Sequence, residues 1–200
     1  SVGFGYTTSL NAIGDKLVVS DLYSKYSYIY NIEFSCNYRT DTIILSEGWN
    51  LISLDVAMNN DHIDSITSKL NNGNLKNITS FIGGIPKVYN PSFPSFFNTM
   101  QNILDGYGYW IQVNEDDTLI VSGLSLDDYF SVNLLPGWNL VSYVPQFKSE
   151  LEVFYSGLLF NDNIFYVTGF PEQSSVYYDP TIPFFSSLKI LENSNGYWLK

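Results

Sequence analysis

Gly48-Trp49-Asn50-Leu51-Ile52-Ser53 returns 89 residues later as Gly137-Trp138-Asn139-Leu140-Val141-Ser142. Tyr89-Asn90-Pro91 is answered by Tyr178-Asp179-Pro180, Phe96-Phe97 by Phe184-Phe185, and Gly108-Tyr109-Trp110 by Gly196-Tyr197-Trp198. The offset is 89 at the first two landmarks and 88 at the last two. Matches in the same order at a nearly constant offset mark an internal duplication, which governs every other reading of the chain. Residues 41 to 200 are two copies of one module of about ninety residues.

Each landmark carries a local expectation. Gly-Trp-Asn followed by Leu-Ile/Val-Ser reads as a tight turn feeding a strand, with Thr42 to Leu45 and Phe130 to Leu135 as the preceding strands. Glu47-Gly48 and Pro136-Gly137 make the reversals. Ile63, Ile66 and Leu70 lie at helical spacing, with Asp61 as N-cap and Gly73 as stop. Glu150 to Leu159 takes that place in the second copy. Ile78 to Ile82, Asn163 to Val167, Lys87 to Tyr89 and Val176 to Tyr178 read as short strands. The Asx-Pro pairs force turns. Phe96 to Leu104 and Phe184 to Leu191 are then one short helix each, and Gly106 and Asn195-Gly196 open a last strand.

The expected fold class is therefore α+β: a strand-rich N-terminal assembly segment (1–40), a first small α+β module (41–123) and a second (124–200). Neither module is large enough to be comfortable alone, so the two are expected to pack together. The two tryptophans of each copy are expected as core anchors.

The first forty residues stand outside the repeat. Tyr28, Tyr30, Ile32 and Phe34 alternate with other residues, as in a strand with one buried face. Tyrosine offers rigid, amphipathic contact area at low entropic cost. Tyr23, Tyr26, Tyr28, Tyr30 and Tyr38 are therefore the candidate interface residues.

Composition bounds the function. The chain is 45% hydrophobic and 17% aromatic but only 14% charged, which is the make-up of a globular protein. Its net charge of −11 argues against nucleic acid, whose affinity is drawn from lysine and arginine, and against an anionic membrane. No apolar run reaches the length of a membrane span, so no membrane insertion is expected. The single cysteine, Cys36, cannot form an intramolecular disulfide. The chain starts at Ser1 with no signal-like segment, which suits a processed protein, a proteolytic core or a fragment equally.

The chain carries few residues of the types that do chemistry. His62, between Asp61 and Asp64, is the one histidine, and it has no counterpart in the second copy. It reads as a solvated residue at a helix start, and Cys36 as a buried strand residue. One histidine and one cysteine are too few for a zinc site. Asn114-Glu115-Asp116-Asp117, with Asp127-Asp128 beyond, lacks calcium-loop spacing and reads as a polar hairpin. Asn77-Ile78-Thr79 fits the N-glycosylation pattern, but Ile78 looks buried. No phosphate-binding glycine loop is present. No catalytic residue, cofactor or metal is expected, and the protein is read as no enzyme.

The series Gly-Trp-Asn-Leu-Ile-Ser, Tyr-Asx-Pro and Gly-Tyr-Trp resembles a tandem module of secreted bacterial surface proteins. There it accompanies catalytic or adhesive domains and has no settled activity of its own. Val2-Gly3-Phe4-Gly5-Tyr6-Thr7-Thr8-Ser9-Leu10, followed by Lys16-Leu17-Val18-Val19, resembles a Val-Gly-Ile-Gly-Thr-Thr-x-Pro segment of phage and viral fibre proteins. It departs from that segment at Phe4, at Tyr6 and in lacking proline after Ser9. Together the resemblances imply an extracellular, cell-surface or virion-surface protein, such as a spike, fibre tip or adhesin. Its expected partners are further copies of itself, other surface or virion proteins, a glycan or a host receptor. The alternative expectation is a carbohydrate-binding accessory module of a secreted protein.

Overall fold

The computed structural model describes residues 6–10, 16–21, 27–31, 38–126, 130–160 and 163–200, the first three segments and residue 160 as backbone alone. The chain divides into two compact units, Ser1–Asn37 and Tyr38–Lys200. In the first, β1 (Tyr6–Leu10), β2 (Lys16–Asp21) and β3 (Ser27–Asn31) form an antiparallel meander. Tyr28 and Tyr30 sit in β3 opposite Val19 and Leu17. Tyr23, Tyr26, Ile32, Phe34 and Cys36 lie outside the described residues.

In the second unit, the first copy runs through β4 (Tyr38–Leu45), β5 (Gly48–Ser53), β6 (Val56–Ala57), α1 (Asp64–Thr67), β7 (Leu75–Ile82), β8 (Ile85–Tyr89), β9 (Gly108–Val113) and β10 (Asp117–Ser125). The second copy follows with β11 (Asn139–Ser142), β12 (Ser149–Glu150), α2 (Leu151–Phe154), α3 (Ser156–Phe160), β13 (Val167–Gly169), β14 (Val176–Tyr178), β15 (Ile190–Leu191) and β16 (Gly196–Leu199). One four-stranded sheet has the order β5-β9-β7-β8 and the other β11-β16-β13-β14. Corresponding strands of the two copies thus hold corresponding places. A sheet β4-β10-β6 lies beside the first, and a two-stranded β12-β15 beside the second.

This is a mostly-β fold, and the α+β expectation is corrected. The three α-helices among the described residues are only four, four and five residues long. Ile63, Ile66 and Leu70 are all buried, so their spacing does report a buried face. A single turn nevertheless forms, because a helix this short cannot recover its nucleation cost without tertiary packing. Asp61 is no cap: its carboxylate accepts from the Asn102 amide, and Ile63 stands at the N-cap without a side-chain bond. The expected helices at Phe96–Leu104 and Phe184–Leu191 shrink to the 3-10 turns Ser95–Phe97 and Pro183–Phe185. Beyond them the backbone donates to other strands, Met100 N–H to Val88 and Leu188 N–H to Tyr177. Phe130 to Leu135 forms no strand, and β4 pairs along its length with β10 instead.

Each copy has its own core. Ile43, Leu45, Ile66, Ile78, Met100 and Tyr109 belong to the first, and Tyr143, Leu151, Val167, Leu191 and Tyr197 to the second.

The β7–β8 reversal shows what duplication followed by drift does to a turn. Gly83 and Gly84 have φ of 57° and 78°, and the equivalent Glu172 and Gln173 have 49° and 57°. Two successive left-handed residues suit a hairpin turn that favours glycine. A non-glycine residue there costs on the order of 1 kcal/mol. Glu172→Gly is therefore expected to raise stability by about 1 kcal/mol at the urea midpoint; an unchanged or lower midpoint would disprove the strain.

Candidate recognition surface

The repeated motifs resolve into separate physical jobs, and each job is done twice. Gly48 and Gly137 turn the chain at φ of 94° and 95°, a region that favours glycine. The following asparagine closes that turn. Asn50 accepts from Ser46 N–H and donates to Ser46 O, and Asn139 does the same with Leu135, at 2.8–3.0 Å. Tyr109 is buried, its hydroxyl accepting from Leu104 N–H and donating to Leu104 O. Tyr197 is also buried and accepts from Glu192 N–H at 3.0 Å. The Asx of Tyr-Asx-Pro caps its own turn, Asn90 accepting from Ser92 N–H and Asp179 from Thr181 N–H.

Strand alternation then sends the tryptophans the other way. Tyr109 and Ile111 enter the core, so Trp110 between them faces outward, as does Trp198 after Tyr197. Trp49 is 39% exposed and Trp138 40%, while Trp110 and Trp198 are half-buried. The tryptophans are not the core anchors expected; the tyrosines beside two of them are.

At one end of these outward faces the copies meet, related by a pseudo-twofold. Ile52 bridges Asn195, and Val141 bridges Tyr107. Ser53 N–H donates to Ser194 O at 3.0 Å, and Ser142 N–H to Gly106 O at 3.1 Å. Trp110 contacts Phe170 with ring centres 5.1 Å apart, and Trp198 contacts Phe81 at 5.6 Å. Self-complementary contact of this kind is what a symmetric dimer uses, here within one chain.

The symmetry fails where the faces are open. In the second copy Trp138 (beside β11), Trp198 (β16), Tyr166 (beside β13) and Tyr177 (β14) place one ring on or directly beside each of the four strands. Trp138 meets Trp198 at 6.1 Å and Tyr166 at 6.0 Å, both edge to face, and Tyr166 stacks on Tyr177 at 5.8 Å with planes 3° apart. Phe81 continues the series through Trp198. In the first copy Asn77 and Val88 stand where Tyr166 and Tyr177 do, so only Trp49 and Trp110 remain there. Phe81, Trp138, Thr168 and Trp198 line a shallow recess of about 450 Å³. Lys200 Nζ lies 5.7 Å over the Trp138 ring. Burial, with Tyr177 and Asp179 nearby, raises the Tyr166 phenol above its ordinary value. A larger recess of about 540 Å³, lined by Leu134, Leu135, Leu158 and Ile164 among others, is mainly aliphatic and borders the same Lys200. The aromatic strip is the better candidate because its four rings form one connected series of contacts.

The residues singled out from sequence are scattered. Tyr38 begins β4 and is 56% exposed. His62 is exposed, its Nδ1 3.3 Å from the Asp64 carboxylate and accepting from Asp64 N–H. The acidic stretch ties loops together. Asp116 accepts from Glu47 N–H, and Asp117 from Asn71 N–H and the Asn74 amide. Against the upward pull of desolvation, those bonds and Thr118 N–H hold the Asp117 carboxyl below its usual value. Asn77 is engaged with Gln112 and Asn90. Asp127 and Asp128 lie outside the described residues. Among the described residues no three His, Cys, Asp or Glu side chains gather as metal ligands, and no helix is long and apolar enough to cross a membrane.

Sequence reasoning missed the strip. The signal available was the departure between the copies, Asn77 to Tyr166 and Val88 to Tyr177 at the constant offset of 89.

No family model, no curated protein and no solved structure matches this chain.

Proposed function

We propose that this chain is a non-enzymatic surface protein of structural or adhesive kind, acting outside a cell or on a virion, and that it holds its partner with the aromatic strip of the second copy. The observation that carries this reading is a connected series of rings on or beside every strand of one sheet, left partly open to solvent. Contiguous exposed apolar surface of that kind marks interaction sites on soluble proteins. Tryptophan and tyrosine also dominate the energetics of recognition surfaces. Two copies joined by reciprocal contacts make a scaffold that presents such a face.

The test is retention of the purified chain on immobilised glycans, on whole cells, on surface proteins and on the chain itself. Trp138→Ala combined with Tyr166→Ala is expected to reduce retention at least tenfold while Trp49→Ala leaves it intact. Retention on none of these supports, or equal retention of all three proteins, would overturn the reading.

A further inference from the structure

We infer that the strip of the second copy binds an uncharged carbohydrate chain, laid across β11, β16, β13 and β14. The inference rests on the recognition reading above and names its ligand. The ring contacts run Trp198–Trp138–Tyr166–Tyr177 with centres 5.8–6.1 Å apart, so the four rings form one connected apolar row over the sheet. A ligand matched to that row is itself a chain of flat units, each with an apolar face. Pyranose rings have such faces, formed by their C–H groups, with hydroxyls around the rim.

Other flat or extended ligands fit less well. Nucleobases stack on aromatic rows, but their phosphates meet a chain of net charge −11, and among the described residues Lys200 is the one cation set over a ring of the strip. A peptide joining as an extra strand needs an open sheet edge. Beside Tyr177 that edge is already taken, because Tyr177 N–H donates to the Ser187 hydroxyl and Leu188 N–H donates to Tyr177 O. A proline-rich helix needs slots between aromatic ridges. Tyr166 and Tyr177 stack at 5.8 Å and Trp138 meets both Trp198 and Tyr166 edge to face, so each ring is in contact with the next and no slot opens between them.

Sugar hydroxyls would find partners at the rim. The Tyr166 phenol carries a hydroxyl, and Lys200 Nζ is a donor above Trp138. The Thr168 hydroxyl is already spent on Val176 O, so the floor of the recess offers contact area rather than hydrogen bonds. A few placed polar groups around an apolar wall is the usual make-up of a small-molecule site.

The comparison between copies supplies the control. Tyr166→Asn and Tyr177→Val install the first copy's residues in the second, at positions where that backbone already carries them. The full chain is screened on a glycan array, then titrated by tryptophan fluorescence with cellohexaose, maltohexaose and chitohexaose. Saturable binding of at least one neutral oligosaccharide is expected, weakened tenfold or more by Tyr166→Asn with Tyr177→Val, abolished by Trp138→Ala and unchanged by Trp49→Ala. A blank array, or binding indifferent to the strip variants, would overturn the inference. If the array is blank while cells or proteins still retain the chain through the strip, the carbohydrate inference falls and the recognition reading stands. If retention is absent as well, both fall.

Discussion

Gly196→Ala is expected to lower the unfolding free energy by about 2–3 kcal/mol, by prising the two copies apart rather than by damaging either core. A Cβ at Gly196 would lie 2.8 Å from Ile52 O and 3.0 Å from Leu51 Cδ1. The carbonyl cannot retreat easily, because Ile52 is locked in the antiparallel ladder opposite Tyr109. The symmetric position repeats the geometry: a Cβ at Gly108 would lie 2.8 Å from Leu140 Cδ1 and 3.1 Å from Val141 O. There the nearest atom is a side-chain methyl that can turn, so Gly108→Ala should cost less, about 1–2 kcal/mol. Neither glycine sits at positive φ, which makes both effects steric. The two losses should add incompletely, since a gap opened by one relieves the other. Urea unfolding gives the free energies. Tryptophan emission should shift with them as Trp110–Phe170 and Trp198–Phe81 separate. A cost below about 0.5 kcal/mol for Gly196→Ala, within the range of ordinary surface changes, would refute the close packing.

Those glycines also show what a sequence reveals and what it withholds. The landmarks were legible because each fills a need that few residues meet: a left-handed turn at Gly48, a self-closing amide at Asn50, a close approach at Gly196. Sequence order and offset followed from them without structural knowledge. Fold class did not follow, because Ile63, Ile66 and Leu70 report burial correctly but not how many helical turns the neighbouring strands allow. Phe96 and Phe184 were expected on helices; they lie on 3-10 turns, 77% and 87% exposed. The roles of Tyr109 and Trp110 were exchanged for the same reason. Both are large and aromatic, and only strand register decides which one enters the core. The strip was half legible, in the departures of Tyr166 and Tyr177 from the first copy, but exposure is a property of the assembled sheet.

Raising the pH from 4 to 8 is expected to destabilise the natural chain relative to Asp55→Asn by up to about 4 kcal/mol, through one buried carboxyl at the seam between the copies. Asp55 is 1% exposed. Its Oδ2 accepts from Ser194 N–H at 3.0 Å, across the pseudo-twofold, and its Oδ1 accepts from the Ser53 hydroxyl at 3.1 Å. Burial pushes its pKa up from 3.8 to about 7, against the lowering by those two bonds; Asp41 nearby adds to the rise, and Arg39 opposes it weakly. Arg39 is held 2.8 Å from Asp41 and stays 3.7 Å from the Asp55 carboxylate. Because the folded value lies above the unfolded one, the folded chain holds this proton more tightly. The stabilisation is complete below pH 3.8 and is lost as the pH rises through 7. At about 1.4 kcal/mol per pH unit between those values, the upper limit is on the order of 4 kcal/mol. Asparagine keeps the shape and an acceptor for Ser194 N–H but does not ionise. The second copy supports the direction, since Val144 occupies the equivalent place without any charge. Carboxyls held below their usual value, such as Asp117 and Asp179, act in the opposite sense but equally in both proteins, so they cancel in the comparison. Urea midpoints measured every half unit should diverge between pH 4 and 8, with the variant the more stable above 7. Parallel curves would show that the seam admits the charge at no cost, and that Arg39 or water reaches Asp55 when it ionises.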